Sequence, residues 1–155
     1  MAVRMELSRI LIRELNDYQI IELREVTSGE AKTPSASLYL ESAEENGHAR
    51  SFPIVIGLPE AQSIERRLKG ISIKRPQTHD LLSSVIETLG AKLDSITIND
   101  LSDHTFFATL DVTQADGKKI HIDSRPSDAI ALGIAGGVPI FVAEHVLEAA
   151  TKDEL

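Results

Sequence analysis

The chain has 155 residues, of which 42% are hydrophobic and 26% are charged. This composition is typical of a folded domain and excludes a disordered or fibrous chain, so we expect one domain over residues 1–155 with its core at residues 5–145. No apolar run approaches the roughly 20 residues of a membrane span, and the start lacks the apolar stretch of a signal peptide. We therefore expect a cytoplasmic protein with no membrane partner.

The sequence also lacks cysteine and ends in a targeting motif. The sequence contains no cysteine, which excludes disulfides, thiolate metal sites and cysteine nucleophiles. The final residues Lys152, Asp153, Glu154 and Leu155 spell a retention signal of the endoplasmic reticulum. We interpret this signal as coincidental.

The net charge of −8 belongs to the second half of the chain. Residues 1–76 contain 11 Lys and Arg against 11 Asp and Glu, whereas residues 77–155 contain 5 against 13. Five cations and no acid lie between Arg66 and Arg75. Such a patch could bind a phosphate backbone, but the carboxyl end of a helix also favours cations.

Two β-hairpins are predicted first. Their strands cover residues 7–13 and 20–26, joined at Asn16-Asp17, and then residues 37–40 and 52–56, joined at Asn46-Gly47.

Two helices follow. Pro59 begins the first helix and Gly70 ends it, while Thr78 is expected to cap the second, which Gly90 ends. The apolar stripe of the second helix is Leu81, Leu82, Val85, Ile86 and Leu89.

The pattern of strands, turns and helices then recurs. Residues 96–101 align with 21–26, residues 108–112 with 36–40, and residues 120–122 with 54–56. We hypothesise a duplicated unit of hairpin, strand and helix, with chance similarity of two amphipathic units as the alternative. A short strand at 138–142 and a helix at 144–150 complete the chain. The predicted class is α+β, with mostly antiparallel or mixed sheets and helices packed on them.

Two polar clusters occur where a proline precedes a helix. They contain Arg75, His79 and Asp80 in the first cluster and Asp123, Arg125 and Asp128 in the second. Carboxylates bind divalent cations, and a guanidinium or a helix amino terminus binds phosphate. Helix capping and ion pairing also explain such residues, so both interpretations stay open. The other histidines, His48, His104, His121 and His145, are interpreted as surface or structural residues.

The clusters also carry a resemblance. The segments FPIVIG at 52–57, RPQTHD at 75–80 and DSRPSDAIAL at 123–132 resemble the bifunctional nuclease family in order and spacing, over almost the whole chain. The resemblance implies an α+β domain that hydrolyses both RNA and DNA. With only six aromatic residues, a single-strand reader of the usual aromatic kind is not expected.

We therefore expect metal-assisted hydrolysis of phosphodiesters, with roles assigned from side-chain chemistry. The expected metal ligands for Mg²⁺ or Mn²⁺ are Asp123 and Asp128, with Asp80 or Glu60. His79 would transfer a proton, and Arg75 and Arg125 would hold the phosphate. The alternative is a non-catalytic binding or regulatory module whose Arg-Pro turns form ion pairs or a subunit interface. In both interpretations a homo-oligomer is expected, because short hairpins leave exposed strand edges.

Overall fold

The computed structural model describes residues 1–11, 19–26 and 49–152. Its elements in chain order are β1 (Ala2–Leu11), β2 (Gln19–Glu25), β3 (Ser51–Ile56), α1 (Leu58–Leu68), α2 (Thr78–Thr88), β4 (Lys92–Ser102), β5 (Thr105–Thr113), β6 (Lys119–Ser124), α3 (Pro126–Gly136), β7 (Ile140–Ala143) and α4 (Glu144–Lys152). None of these helices is both long enough and apolar enough to cross a membrane. The predicted turns Asn16-Asp17 and Asn46-Gly47, the predicted strand at 37–40 and His48 lie outside the described residues.

The strands form one mixed sheet with the order β3-β2-β1-β7-β4-β5-β6. The first three strands are antiparallel, so that Leu23 of β2 lies opposite Leu7 of β1 and Phe52 of β3. The strands β4, β5 and β6 form a second antiparallel set. β7 joins the two sets, since it pairs antiparallel with β1 and parallel with β4. The predicted α+β class is confirmed.

Each antiparallel set is followed by a helix with a proline in its first turn. Pro59 lies at the start of α1 after β3, and Pro126 at the start of α3 after β6. Both prolines suit the first helical turn, where a missing amide removes no hydrogen bond. The hypothesised duplication pairs residues 108–112 with residues 36–40, which lie outside the described part of the chain. The duplication therefore stays a prediction.

α3 is the central helix of the core. It contacts α1, α2, β4 and β5, and eight of its residues are buried. A Cβ atom on Gly133 would lie 3.3 Å from Cγ1 of Ile96, so glycine allows α3 to approach β4 closely. The helix ends at Gly137, whose φ of +66° is the left-handed conformation that favours glycine. The first turn of α3, which carries Arg125 and Asp128, is thus fixed by the core behind it.

The sheet is strongly curved. Phe52 of β3 stacks on Phe106 of β5 with 5.5 Å between the ring centroids and 24° between the ring planes. These strands lie at the first and sixth positions of the sheet, so the stack brings one end of the sheet close to the other. The starts of α1 and α3 come together at this junction, where Arg125 bonds Glu60.

α2 differs from its prediction in two ways. Gln77 occupies the N-cap, with its backbone N–H donating to Oδ2 of Asp80 at 3.0 Å, and Thr78 is the first helical residue. The prediction that Thr78 caps the helix is therefore wrong, because the Gln77–Asp80 capping box already satisfies the helix start. Most of the apolar stripe is also exposed to solvent: Leu81, Leu82, Val85 and Leu89.

Candidate functional site

The first turns of three helices meet at one cluster of charged side chains. Arg125 donates from Nε to Oδ2 of Asp128 at 2.8 Å and from Nη2 to Oε1 of Glu60 at 2.9 Å. Nε2 of His79 lies 2.9 Å from Oδ1 of Asp128. Glu60 belongs to α1, His79 to α2 and Asp128 to α3, and we call these four residues the Arg125 network. Residues from both predicted polar clusters are thus brought together.

Burial divides the Arg125 network into a supporting side and a solvent side. The exposed fractions of the side chains are 7% for Glu60 and 10% for His79, against 30% for Asp128 and 68% for Arg125. Buried carboxylates and imidazoles are stabilised when they are paired, and Arg125 and Asp128 provide those partners. A ligand in solvent would therefore meet Arg125 and Asp128 first.

Hydrogen bonds keep Asp128 ionised. Burial alone would raise the pKa of Asp128, but the hydrogen bonds from Arg125 and His79 outweigh burial, so the pKa lies below its usual value. The hydrogen bond to Asp128 raises the pKa of Arg125 in turn. Both side chains are consequently charged at neutral pH. Nη1 of Arg125 has no hydrogen-bond partner among the described residues and remains free to bind an anion.

Asp80 has a different position from its neighbour His79. Its Oδ2 accepts hydrogen bonds from Nη2 of Arg66 at 3.0 Å and from the backbone of Gln77, and Arg67 lies 3.9 Å from Oδ1. These contacts tie the start of α2 to the end of α1. They make Asp80 an anchor of this turn, with no described bond to the Arg125 network.

Two other predicted site residues stay apart from the network. Asp123 lies on β6 opposite Thr109 of β5 and is exposed, and Arg75 lies in the exposed segment before α2. Within residues 1–11, 19–26 and 49–152, neither side chain forms an ion pair. Asp123 lies five residues before Asp128 in the sequence, but within the described part of the chain it forms no bond to the Arg125 network.

The carboxylates of the network do not form a ready metal site. In the part of the chain that the structure describes, no group of three or more Asp, Glu or His side chains is arranged to hold a metal ion. Glu60 and Asp128 instead share Arg125, whose guanidinium lies between them. Arg125 thus provides the positive charge between these two carboxylates.

Another His–Asp pair, which the sequence did not indicate, lies on the face of the sheet away from α3. Asp111 accepts hydrogen bonds from the hydroxyls of Ser95, Thr97 and Thr109 at 2.7 to 3.0 Å, and Nδ1 of His121 lies 2.8 Å from it. Burial would raise the pKa of Asp111, but these hydrogen bonds lower it. The contacts join β4, β5 and β6, which gives Asp111 a structural role.

His104 is exposed, as expected for the surface residue predicted from the sequence. This residue lies in the turn between β4 and β5 and lines an open groove of 570 Å³ that reaches Arg125. The turn has φ of +49° at Asp103 and +62° at His104, a conformation that residues other than glycine rarely adopt. The Asp-His pair between two strands is the sequence signal for this turn, because a two-residue hairpin turn requires positive φ angles at both residues.

Comparison with known proteins places these observations in a family. Two relatives from Mycobacterium tuberculosis, uncharacterized protein MT1877 and uncharacterized protein Rv1829, are each 41% identical to the chain over 107 residues. The matched segment covers 69% of this chain and 62% of each relative, so the chain spans less than two thirds of their length. The family of the bifunctional nuclease domain matches residues 39–154, which include all four residues of the Arg125 network. The chain belongs to the bifunctional nuclease domain family.

Proposed function

We propose that the chain hydrolyses phosphodiester bonds of RNA and DNA at the Arg125 network. The observation that carries this proposal is the exposed guanidinium of Arg125, held by Glu60 and Asp128 beside the His79–Asp128 pair. A fixed guanidinium binds phosphate through directed hydrogen bonds, and a paired carboxylate and imidazole accept a proton. Family membership supports the same type of substrate.

The proposed reaction is an attack of water on phosphorus. The free Nη1 of Arg125 donates to a phosphoryl oxygen and stabilises the charge that develops on it in the transition state. The attacking water forms the new P–O bond and gives its proton to Asp128, which also contacts His79. Because the lowered pKa makes Asp128 a weak base, the proton moves as the P–O bond forms and not before it. The bond from phosphorus to the leaving oxygen breaks, and that oxygen takes the proton back from the pair. In this scheme His79 acts through Asp128, because its own side chain is only 10% exposed.

We also propose a divalent cation as a cofactor of the reaction. Mg²⁺ or Mn²⁺ would polarise a phosphoryl oxygen and lower the pKa of bound water. Its donors would be the carboxylates of Asp128, Glu60 and Asp123. Since Arg125 holds the first two and Asp123 stays apart, we assign no step of the reaction to the metal.

The test is a cleavage assay with labelled single-stranded RNA and DNA, in Mg²⁺, Mn²⁺ or EDTA. Replacing Arg125 by alanine is expected to lower the cleavage rate by about 100- to 1,000-fold, the effect of removing one transition-state donor. Arg125→Lys keeps the charge but loses the fork geometry, so its rate should be intermediate.

Arg50→Ala is the matched control. Arg50 also bridges two carboxylates, Glu25 and Glu144, but it lies outside the Arg125 network. Its loss is expected to change the rate by less than about threefold, since partly exposed ion pairs contribute little. Equal rates for Arg125→Ala and the wild type would contradict the proposed site, and full activity in EDTA would contradict the metal.

We also propose that the chain forms a homodimer through α2 and β6. The exposed stripe of α2 borders an apolar groove of 560 Å³ that includes Ile122 of β6. An exposed apolar patch of this kind marks an interaction surface. β6 ends the described sheet, and antiparallel pairing of two copies about His121 would set Lys119 opposite Asp123 of the other copy. This charge match favours a second copy as the partner.

The dimer is tested by light scattering after size exclusion. Val85→Glu introduces a charge into the centre of the stripe and is expected to raise the dimer dissociation constant by about 100-fold or more. Ile71→Glu is the matched control, because Ile71 is an exposed apolar residue outside the stripe. A monomeric wild type at all concentrations, or a dimer that Val85→Glu leaves intact, would contradict this interface.

A further inference from the structure

We propose that the groove between β3 and the turn of Asp103 and His104 binds unpaired nucleotides next to the phosphate held by Arg125, and that His104 contacts this strand. We call it the β3 groove; its walls are residues 53–57, residues 104–106 and residues 125–127. The inference rests on the proposed function for its class of ligand. It adds a binding site and a contact residue that the Arg125 network does not contain.

The hydrogen-bond donors of the β3 groove suit an anionic ligand. The chain carries a net charge of −8, yet no carboxylate belongs to the residues that line this groove. Its ionisable side chains are His104 and Arg125, and His104 has no ion pair in the described parts of the chain. Arg125 is already paired with Glu60 and Asp128 beside the groove, so an anion would be held by directed hydrogen bonds from the free Nη1 of Arg125 and from the imidazole of His104, and not by a net positive charge.

The apolar walls of the β3 groove favour unpaired bases. Val55, with 63% of its surface exposed, and the exposed Pro53 lie on one side, and the half-buried Phe106 lies on the other. Phe106 is the one aromatic side chain among the described residues that line the groove, so this is not a reader of the usual aromatic kind. An unpaired base can stack on Phe106 and pack against the aliphatic wall, whereas the bases of a duplex are stacked inside it. The volume of 570 Å³ lies within the range of about 300 to 1,000 Å³ for pockets that enclose small ligands. A short stretch of single strand therefore fits better than a double helix.

The backbone at His104 provides a separate argument. Asp103 and His104 both have left-handed φ angles, of +49° and +62°, although neither is glycine. A two-residue turn between antiparallel strands favours Asn-Gly, and a non-glycine residue in this conformation costs roughly 1 kcal/mol. Such strain is concentrated at functional sites, where the side chain is needed in that position. Here the strained residue is the one that adds an imidazole to the groove.

His104→Gly tests the inference because glycine suits the turn while it removes the imidazole. Binding is measured by fluorescence anisotropy with a labelled ten-nucleotide strand of oligothymidylate whose phosphorothioate linkages resist cleavage. The variant is expected to bind about 5- to 10-fold more weakly, the effect of one lost hydrogen bond to a charged group. The melting temperature should stay unchanged or rise.

The controls separate the loss of the imidazole from unfolding. His145→Ala removes another exposed histidine, 65% exposed in α4, and should leave the affinity unchanged. A duplex of the same length should bind more weakly than the single strand. Wild-type affinity in His104→Gly, or a loss of affinity that accompanies a lower melting temperature, would overturn the inference.

This experiment also separates the β3 groove from the proposed hydrolysis. Because the strand is not cleaved, a His104→Gly effect on affinity would support the groove even if the wild type showed no cleavage. Conversely, cleavage that depends on Arg125 together with unchanged binding by His104→Gly would support hydrolysis and reject the groove.

Discussion

Replacing Asp128 by asparagine is expected to lower the rate of phosphodiester cleavage by about 100- to 10,000-fold, the range for loss of a general base. Asparagine keeps the shape of the side chain and one carbonyl oxygen for Arg125. It cannot accept the proton of the attacking water, and it removes the negative charge that both Arg125 and His79 contact. The rate is measured with the labelled single strands under conditions in which the wild type is saturated. Wild-type cleavage by Asp128→Asn would remove the site from the mechanism.

Asp111→Asn is a matched control for this variant. Asp111 also lies 2.8 Å from a histidine and also has a lowered pKa, but it lies on the sheet away from the Arg125 network. Its substitution should reduce stability and leave the cleavage rate within about twofold of the wild type at temperatures where the variant is folded. Equal losses of activity in the two variants would indicate an effect of folding instead of chemistry.

The contributions of Asp111 and Asp128 to the unfolding free energy depend on pH in the same way. Since the folded-state pKa of each lies below its usual value, each stabilises the fold above the unfolded-state pKa of about 3.9. This contribution is lost as the pH falls through the folded-state pKa. The difference in unfolding free energy between the wild type and either asparagine variant should thus be largest at neutral pH and should shrink below about pH 4. The cleavage rate at neutral pH, by contrast, should fall in Asp128→Asn and stay close to that of the wild type in Asp111→Asn.

The sequence indicated the residue types of the site but only some of their contacts. His79 of the first polar cluster contacts Asp128 of the second, whereas Arg75 and Asp123 form no ion pair among the described residues. The local signals were a proline and an acid in the first turns of α1 and α3 and the apolar strands that lead into them. Glu60, His79, Arg125 and Asp128 came together because these turns are fixed to one core. Local patterns do not show which neighbour each charged side chain pairs with. Asp80 pairs with Arg66, and Asp123 forms no described bond to the Arg125 network.

Features that depend on contacts far apart in the chain were not predicted. β7 inserts between β1 and β4, a position that no short-range pattern specifies. The apolar stripe of α2 indicated a helix correctly. Periodicity alone does not show whether such a stripe is buried in the core or exposed, and Val85 is 42% exposed. His104 entered the β3 groove because the curved sheet brings the turn before β5 towards β3, which are distant in sequence.

The largest loss of stability is expected for Phe52→Ala. Phe52 is 1% exposed and stacks on Phe106, which joins the two ends of the curved sheet. Truncation of a buried phenylalanine leaves a cavity and costs about 3 to 5 kcal/mol of unfolding free energy. Denaturation by urea, followed by circular dichroism, measures this loss. Phe52→Leu fills more of the space and should lose less.

Phe107→Ala is the matched control, because Phe107 is the neighbour of Phe106 on β5 but is 40% exposed. It should cost less than about 1.5 kcal/mol, since much of its surface already contacts water. Phe52→Ala should also weaken binding of the phosphorothioate strand at temperatures where it remains folded, because Phe106 lines the β3 groove and loses its stacking partner. Equal losses of stability for the two alanine variants would contradict the view that the Phe52–Phe106 stack closes the sheet. Normal strand binding by folded Phe52→Ala would show that the groove keeps its shape without that closure.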